Sequence, residues 1–144
     1  MTERTIRQII EGQELLTAPS SMSVAEAARL MKQRNVGALM VVDDGKLVGL
    51  FTERDALFRV LAAGLDGGAT KLGSVMTVNP RSITPERSFA HALGFMREGR
   101  FRILPVVEAG RPIGMISVRD ALGPELEAFV YELLKQEQVS NILA

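Results

Sequence analysis

Apolar positions along this chain follow two alternating periods, and the same order of periods occurs twice. Val24, Ala27, Leu30 and Met31 fall at helical spacing behind Ser23 and Glu26, a pattern that predicts a capped amphipathic helix. Gly37 to Val42 is then a short apolar run that ends in Asp43-Asp44-Gly45, and Lys46 to Thr52 returns as a second run. Two such runs around a Gly-containing turn predict a β-hairpin. Further along, Phe89, Ala92, Leu93 and Met96 repeat the helical spacing. Arg102 to Val107, the turn Glu108-Ala109-Gly110 and Pro112 to Ser117 repeat the hairpin. A helix is expected after each hairpin, over Glu53–Ala63 and Val118–Lys135, and an extended lead-in before each unit, at Leu15–Ala18 and Arg81–Thr84.

The two patterns are one internal repeat at an offset of 65. Residues 17–57 align with 82–122 without a gap, and 13 of the 41 positions are identical, too many over one register for a shared amphipathic pattern alone. The expected organisation is an N-terminal helix and lead-in over residues 1–14, a first repeat over 15–63, a Gly-rich linker over 64–75, a second repeat over 76–123, and a C-terminal helix and tail over 124–144. In the last segment Leu126, Phe129, Val130, Leu133 and Leu134 form an apolar stripe that fits either its own repeat or a partner. A repeat of about 45 residues can hardly bury a core by itself. The copies are therefore expected to pack on each other about a pseudo-twofold axis, with clefts between them.

Composition narrows the chemistry. There is no Cys and one His, His91, which removes disulfides, thiolate nucleophiles, Cys-ligated metals and His-rich metal sites. Seventeen basic and seventeen acidic residues cancel, so bulk attraction to nucleic acid is not expected, and 5% aromatics offer few stacking platforms. The longest charge-free run, Leu15 to Ala25, is too short and too rich in Ser and Pro to span a bilayer, and the N-terminus lacks the features of a signal peptide. The expected setting is the cytoplasm.

The most similar stretches of the copies are Gly49-Leu50-Phe51-Thr52-Glu53-Arg54-Asp55-Ala56-Leu57 and Gly114-Met115-Ile116-Ser117-Val118-Arg119-Asp120-Ala121-Leu122. One reading is structural: Thr52 and Ser117 cap helices, and Asp55 and Asp120 complete the capping boxes. The other uses the same geometry for a ligand. A hydroxyl beside free N–H groups at a helix start suits an anion, Arg54 or Arg119 adds a phosphate-pairing cation, and Asp55 or Asp120 can accept from the two hydroxyls of a ribose. An apolar strand entry offers a slot for a flat base. Arg97, Arg100, Arg102 and Arg111 add a local basic cluster, and Met22, Met31, Met96 and Met115 read as core filler.

These Gly-x-x-[Thr/Ser]-x-Arg-Asp stretches, each behind a Val-Val-[Asp/Glu]-x-Gly hairpin and an Ala-x-x-x-Met helix, resemble cystathionine-β-synthase (CBS) domains. Met76-Thr77-x-x-Pro80 and Arg100 to Val107 are similar to the family's lead-in and strand entry. The resemblance implies an α/β (α+β) fold of two β-α-β-β-α repeats, paired as in small stand-alone bacterial CBS proteins and commonly assembled as homodimers. It implies a non-catalytic sensor of adenosine-containing ligands such as AMP, ADP, ATP, NADH or S-adenosylmethionine, with no required cofactor and a separate, unknown protein target. By the family's pattern one cleft takes Thr17, Val36, Gly37 and Ala38 with Ser117, Arg119 and Asp120. The other takes Ser82, Phe101, Arg102 and Ile103 with Thr52, Arg54 and Asp55.

The copies depart from each other at two places. Met40 stands where the second copy has Pro105, and the entry Asn35-Val36-Gly37-Ala38 lacks the arginines Arg100 and Arg102. The site that uses Arg102 is therefore expected to be the tighter. An interaction module with empty clefts, working through its C-terminal helix, is the alternative. An enzyme acting on a nucleotide would need Asp55 or Asp120 as a base or Mg²⁺ ligand, yet neither copy supplies a nucleophile–base pair.

Overall fold

The computed structural model describes residues 4–143. In chain order they form α1 (Ile6–Ile10), β1 (Thr17–Ala18), α2 (Val24–Arg34), β2 (Ala38–Asp43), β3 (Lys46–Thr52), α3 (Glu53–Asp55) continued by a π-helical stretch (Ala56–Leu61), α4 (Leu72–Val75), β4 (Thr77–Val78), α5 (Phe89–Gly99), β5 (Ile103–Glu108), β6 (Arg111–Ser117), a 3-10 turn (Val118–Asp120) and α6 (Gly123–Leu143). Two compact units result. One combines Glu14–Arg81 with the hairpin tip Val107–Pro112; the other combines the chain start as far as Gln13 with Ser82–Val106 and the chain from Ile113 onward.

The first unit holds a four-stranded sheet in the order β1-β2-β3-β4. β1 runs parallel to β2, and the β2–β3 hairpin pairs Ala38 with Thr52 through Asp43 with Lys46, with a bulge between Val41 and Val42. Asp44 and Gly45 at the turn both take positive φ, 52° and 76°, which matches the turn to the strand twist. The expected stripe of α2 is buried at Val24, Ala27 and Met31 against Leu39, Val41 and Phe51. Ser23 Oγ accepts the Glu26 N–H at 3.2 Å, the Ser half of the expected box. Asn35 ends the helix in the left-handed conformation, as Arg100 ends α5.

The other unit repeats this order. Phe89, Ala92, Leu93 and Met96 of α5 pack with Ile83, Leu104, Val106 and Ile116, and Phe129 of α6 closes the cluster. Ala109 and Gly110 turn the β5–β6 hairpin with φ of 53° and 80°.

Each core is covered by the short helix that precedes the opposite repeat. α1 comes before the first repeat, yet Ile6 and Ile10 are buried in the second repeat's core. α4 comes before the second repeat, yet Leu72 and Val75 are buried in the first repeat's core. The repeated glycines are explained by this cover. A Cβ at Gly49 would collide with the Met76 side chain, and one at Gly114 would lie 2.7 Å from Ile10 Cβ. The match stops at the sheet edge. In the first unit β4 pairs with Gly49 and Leu50. In the other, Gln13 alone takes that place: its amide donates to the Met115 carbonyl at 2.7 Å and accepts the Met115 N–H at 2.8 Å.

The helix expected over Val118–Lys135 is not continuous. It is a 3-10 turn as far as Asp120, an extended Ala121 with ψ 136°, and a new helix from Gly123. Pro124 is the physical reason. Proline has no N–H to donate to the carbonyl four residues back, at Asp120, and its ring disfavours a helix running into it. Of the stripe on α6, Phe129 is buried and Leu133 partly so, while Leu126, Val130 and Leu134 stay exposed. No helix among the described residues is long and apolar enough to cross a membrane.

Two measurements check this account. Ile6→Ala and Leu72→Ala should each lower unfolding free energy in urea by about 2–4 kcal/mol, the usual cost of emptying a closed core site. A neutral Ile6→Ala would contradict the covering role of α1. The second concerns Asp43, whose carboxylate accepts from Ser20 Oγ at 2.6 Å and from the Ser20 N–H at 3.0 Å. The side-chain bond first, then the backbone bond, holds its pKa below the ordinary 3.8. The charged form is favoured in the fold, so its contribution is present above the ordinary aspartate range and is lost as pH falls through the lowered value. The stability gap between wild type and Ser20→Ala should therefore narrow from neutral to strongly acidic buffer.

Candidate functional site

Both copies end their second strand in a residue whose backbone is extended and whose side chain turns to meet the next helical turn. Thr52 does this at the end of β3. Its Oγ1 accepts the Asp55 N–H at 3.2 Å, and Asp55 Oδ2 accepts the Thr52 N–H at 3.0 Å and the Thr52 hydroxyl at 3.1 Å. Ser117 repeats this at the end of β6. Its Oγ accepts the Arg119 N–H at 3.2 Å, and Asp120 Oδ2 accepts the Ser117 N–H at 2.8 Å. The reciprocal capping boxes are thus real, and each occupies one carboxylate oxygen.

The second carboxylate oxygen differs between the copies. Asp55 is 6% exposed, and its Oδ1 lies 3.5 Å from Arg59 Nε. Arg59 also donates to the carbonyls of Val75 at 3.4 Å and Met76 at 3.1 Å. Asp120 is only half-buried, and among the described residues no hydrogen bond or ion pair reaches its Oδ1. The neighbouring arginines differ too. Arg54 lies over the Phe58 ring, 4.8 Å from its centroid. Arg119 is exposed, and so is Arg102.

The strand entries sit beside these turns within their own copies. The Glu53 N–H donates to the Gly37 carbonyl at 2.9 Å, and the Val118 N–H donates to the Arg102 carbonyl at 3.0 Å. Val36 is 41% exposed, whereas Ala38 is buried in the core. Phe101 packs on the second core and meets Phe95 edge to face at 5.5 Å, with Ile103 half-buried beyond it. Thr17 is exposed on β1 opposite Met40, and Ser82 is exposed just before Ile83, which bridges to Val106. Among the described residues no group of three or more His, Asp or Glu is placed to hold a metal ion.

One residue at this site has no signal in its own neighbourhood. Arg4 Nη2 donates to the Asp120 carbonyl at 3.0 Å and also pairs with Glu125. Its guanidinium lies over the Phe89 ring at 5.1 Å. The one hint in the chain is Pro124, which leaves a main-chain carbonyl in need of a donor without saying where the donor is.

Comparison with known proteins places the whole arrangement. The CBS domain model matches residues 6–62 and 72–124. The CBS domain-containing protein CBSX3, mitochondrial, of Arabidopsis thaliana is 37% identical over 124 residues; the match covers 83% of this chain and 58% of that protein, less than two thirds of its length. A protein with CBS domains from Burkholderia ambifaria superposes with a TM-score of 0.75 at 33% identity, covering 81% of this chain and 89% of the other. The CBS domain pair of the protein MJ0100, in complex with 5′-methylthioadenosine and S-adenosyl-L-methionine, has a TM-score of 0.74 at 26% identity and covers 83% and 93%.

The unequal carboxylates have a measurable consequence. Asp55→Ala should cost about 1–3 kcal/mol in urea unfolding, because it leaves the part-buried Thr52 N–H without its acceptor and removes the ion pair to Arg59. Asp120→Ala, half in solvent, should cost less; the reverse order would contradict the difference in burial.

Proposed function

The chain belongs to the CBS-domain family as a tandem pair, and from that premise we propose that it is a non-catalytic regulatory module that binds adenosine-containing ligands at its Arg-Asp turns. The supporting observation is the Asp120 carboxylate, whose Oδ1 is uncommitted among the described residues, in a turn that also carries exposed Arg119 and adjoins exposed Arg102. An uncommitted carboxylate beside a capped turn accepts from vicinal hydroxyls, which selects a ribose. Two exposed guanidiniums suit phosphate oxygens, which favours AMP, ADP or ATP over an uncharged nucleoside. The adenosine class has independent support from the complex of the MJ0100 pair with two adenosine derivatives.

In this reading Ser117, Arg119 and Asp120, and in the first copy Thr52, Arg54 and Asp55, hold ribose and phosphate, while the strand entries Thr17, Val36, Gly37 and Ala38, and Ser82, Phe101, Arg102 and Ile103, supply the remaining ligand contacts. No catalytic residue is invoked, because neither turn pairs a nucleophile with a base. The module signals through a homodimer partner or a separate target protein, and the exposed stripe Leu126, Val130 and Leu134 on α6 supplies an apolar surface for such a contact.

A thermal-shift series with AMP, ADP, ATP, NADH, S-adenosylmethionine and GTP tests the ligand class. An adenosine ligand at a hundredfold excess over its Kd should add about 2.7 kcal/mol of stability, GTP much less, and Asp120→Ala should abolish the gain. A melting temperature indifferent to all of them would favour the interaction-module reading, in which α6 alone does the work.

A further inference from the structure

We propose that the residue at repeat-equivalent positions 59 and 124 decides which copy takes ligand, and that Arg4 is the positioning residue of the copy that does. The inference rests on the reading of the Arg-Asp turns as ligand sites, and goes beyond it by making the start of the chain part of one of them.

The offset of 65 puts Pro124 where the first copy has Arg59. Arg59 is the side chain that faces Asp55 Oδ1, the one carboxylate oxygen its capping box does not use. Proline supplies neither that cation nor a main-chain N–H. Two acceptors on one residue are released in the second copy: the Asp120 Oδ1 and the Asp120 carbonyl. The carbonyl is claimed by Arg4 Nη2 at 3.0 Å. Oδ1 is claimed by nothing among the described residues, and is available to a hydroxyl from outside.

Arg4 does more than fill a gap. It holds the main chain of the residue whose carboxylate is open, while the Ser117 N–H on Oδ2 sets the direction in which that carboxylate points. Glu125 completes the bend, accepting both from Arg4 and from the Leu122 N–H at 2.8 Å. Arg4 Nε is buried and has no hydrogen-bond partner among the described residues.

Arg4 also begins a strap that runs to Gln13. The Phe89 N–H donates to the Arg4 carbonyl at 2.8 Å, the Ile6 N–H to Arg87 at 3.0 Å and the Arg7 N–H to Pro85 at 3.0 Å. The Arg7 guanidinium pairs with Glu86 at 2.7 Å, and Gln13 is clamped on Met115. Ligand on the Asp120 carboxylate and docking of this strap therefore favour the same conformation of one turn. Such coupling is reciprocal: each must strengthen the other by the same factor.

The test combines calorimetric titration with AMP and with ATP and hydrogen exchange of the full chain. Wild type should bind one equivalent per chain, and bound nucleotide should slow exchange at the Ile6, Arg7 and Phe89 amides. Arg4→Gln should weaken binding about 5- to 100-fold and abolish that protection, with Glu125→Gln acting in the same direction but less. Arg59→Ala should expose Asp55 and add a second equivalent. A lowered melting temperature with unchanged affinity in Arg4→Gln would make Arg4 a structural tie only and overturn the proposal. So would two equal sites in wild type, or nucleotide binding without strap protection; the wild-type exchange experiment needs no variant to fold. No binding of either nucleotide to wild type would instead remove the ligand reading itself, and this inference with it.

Discussion

Each repeat is too small to close its own core, and everything else depends on what closes it. Ile6 and Ile10 cover one core, and Leu72 and Val75 cover the other. In both cases the cover is a short helix that could not persist alone in water, since so few residues fall far below the length at which isolated helices survive. Its stability comes from burial, and burial demands close approach. That demand accounts for Gly49 and Gly114, where any side chain would collide with the covering segment. A pair of glycines that looks like a turn feature is in fact the imprint of a distant helix.

The covering segments also explain how the two Arg-Asp turns came to differ while keeping the same capping boxes. The box is local, made by residues three apart, and survives in both copies because it satisfies N–H groups that a helix start always leaves over. What lies beyond the box is not local. In the first copy the helix continues, widened into a π-helical stretch, and Arg59 lies against Asp55. In the second, Pro124 interrupts it, and the strap from the chain start supplies Arg4. Among the described residues the same carboxylate is closed in one setting and open in the other. Capping and ligand binding are thus not rival explanations of these residues, because an aspartate has two oxygens and the box uses one.

Much of the fold was legible before any coordinates. The helix stripes, the hairpins with their positive-φ turns and the caps at Ser23, Thr52 and Ser117 all arise from residues within a few positions of one another. The candidate site was half legible. Thr52, Arg54, Asp55, Ser117, Arg119 and Asp120 stood out because they occur twice at one register. The burial of Ala38, the packing of Phe101 on Phe95 and the break after Asp120 did not, since the first two depend on what lies across the core. The break had a local cause in Pro124, but the apolar stripe beyond it read as one continuous helix.

The chain by itself therefore determined the repeat, its elements and the residue types at the two turns, because short-range sterics and hydrogen bonding act along a few residues of backbone. Only the tertiary structure decided which helix covers which core, that Gln13 stands in for a strand, and that Arg4 reaches Asp120 from 116 residues away. Such pairings leave no periodic trace in a single sequence. They are chosen when cores of limited size compete for the few apolar segments able to close them.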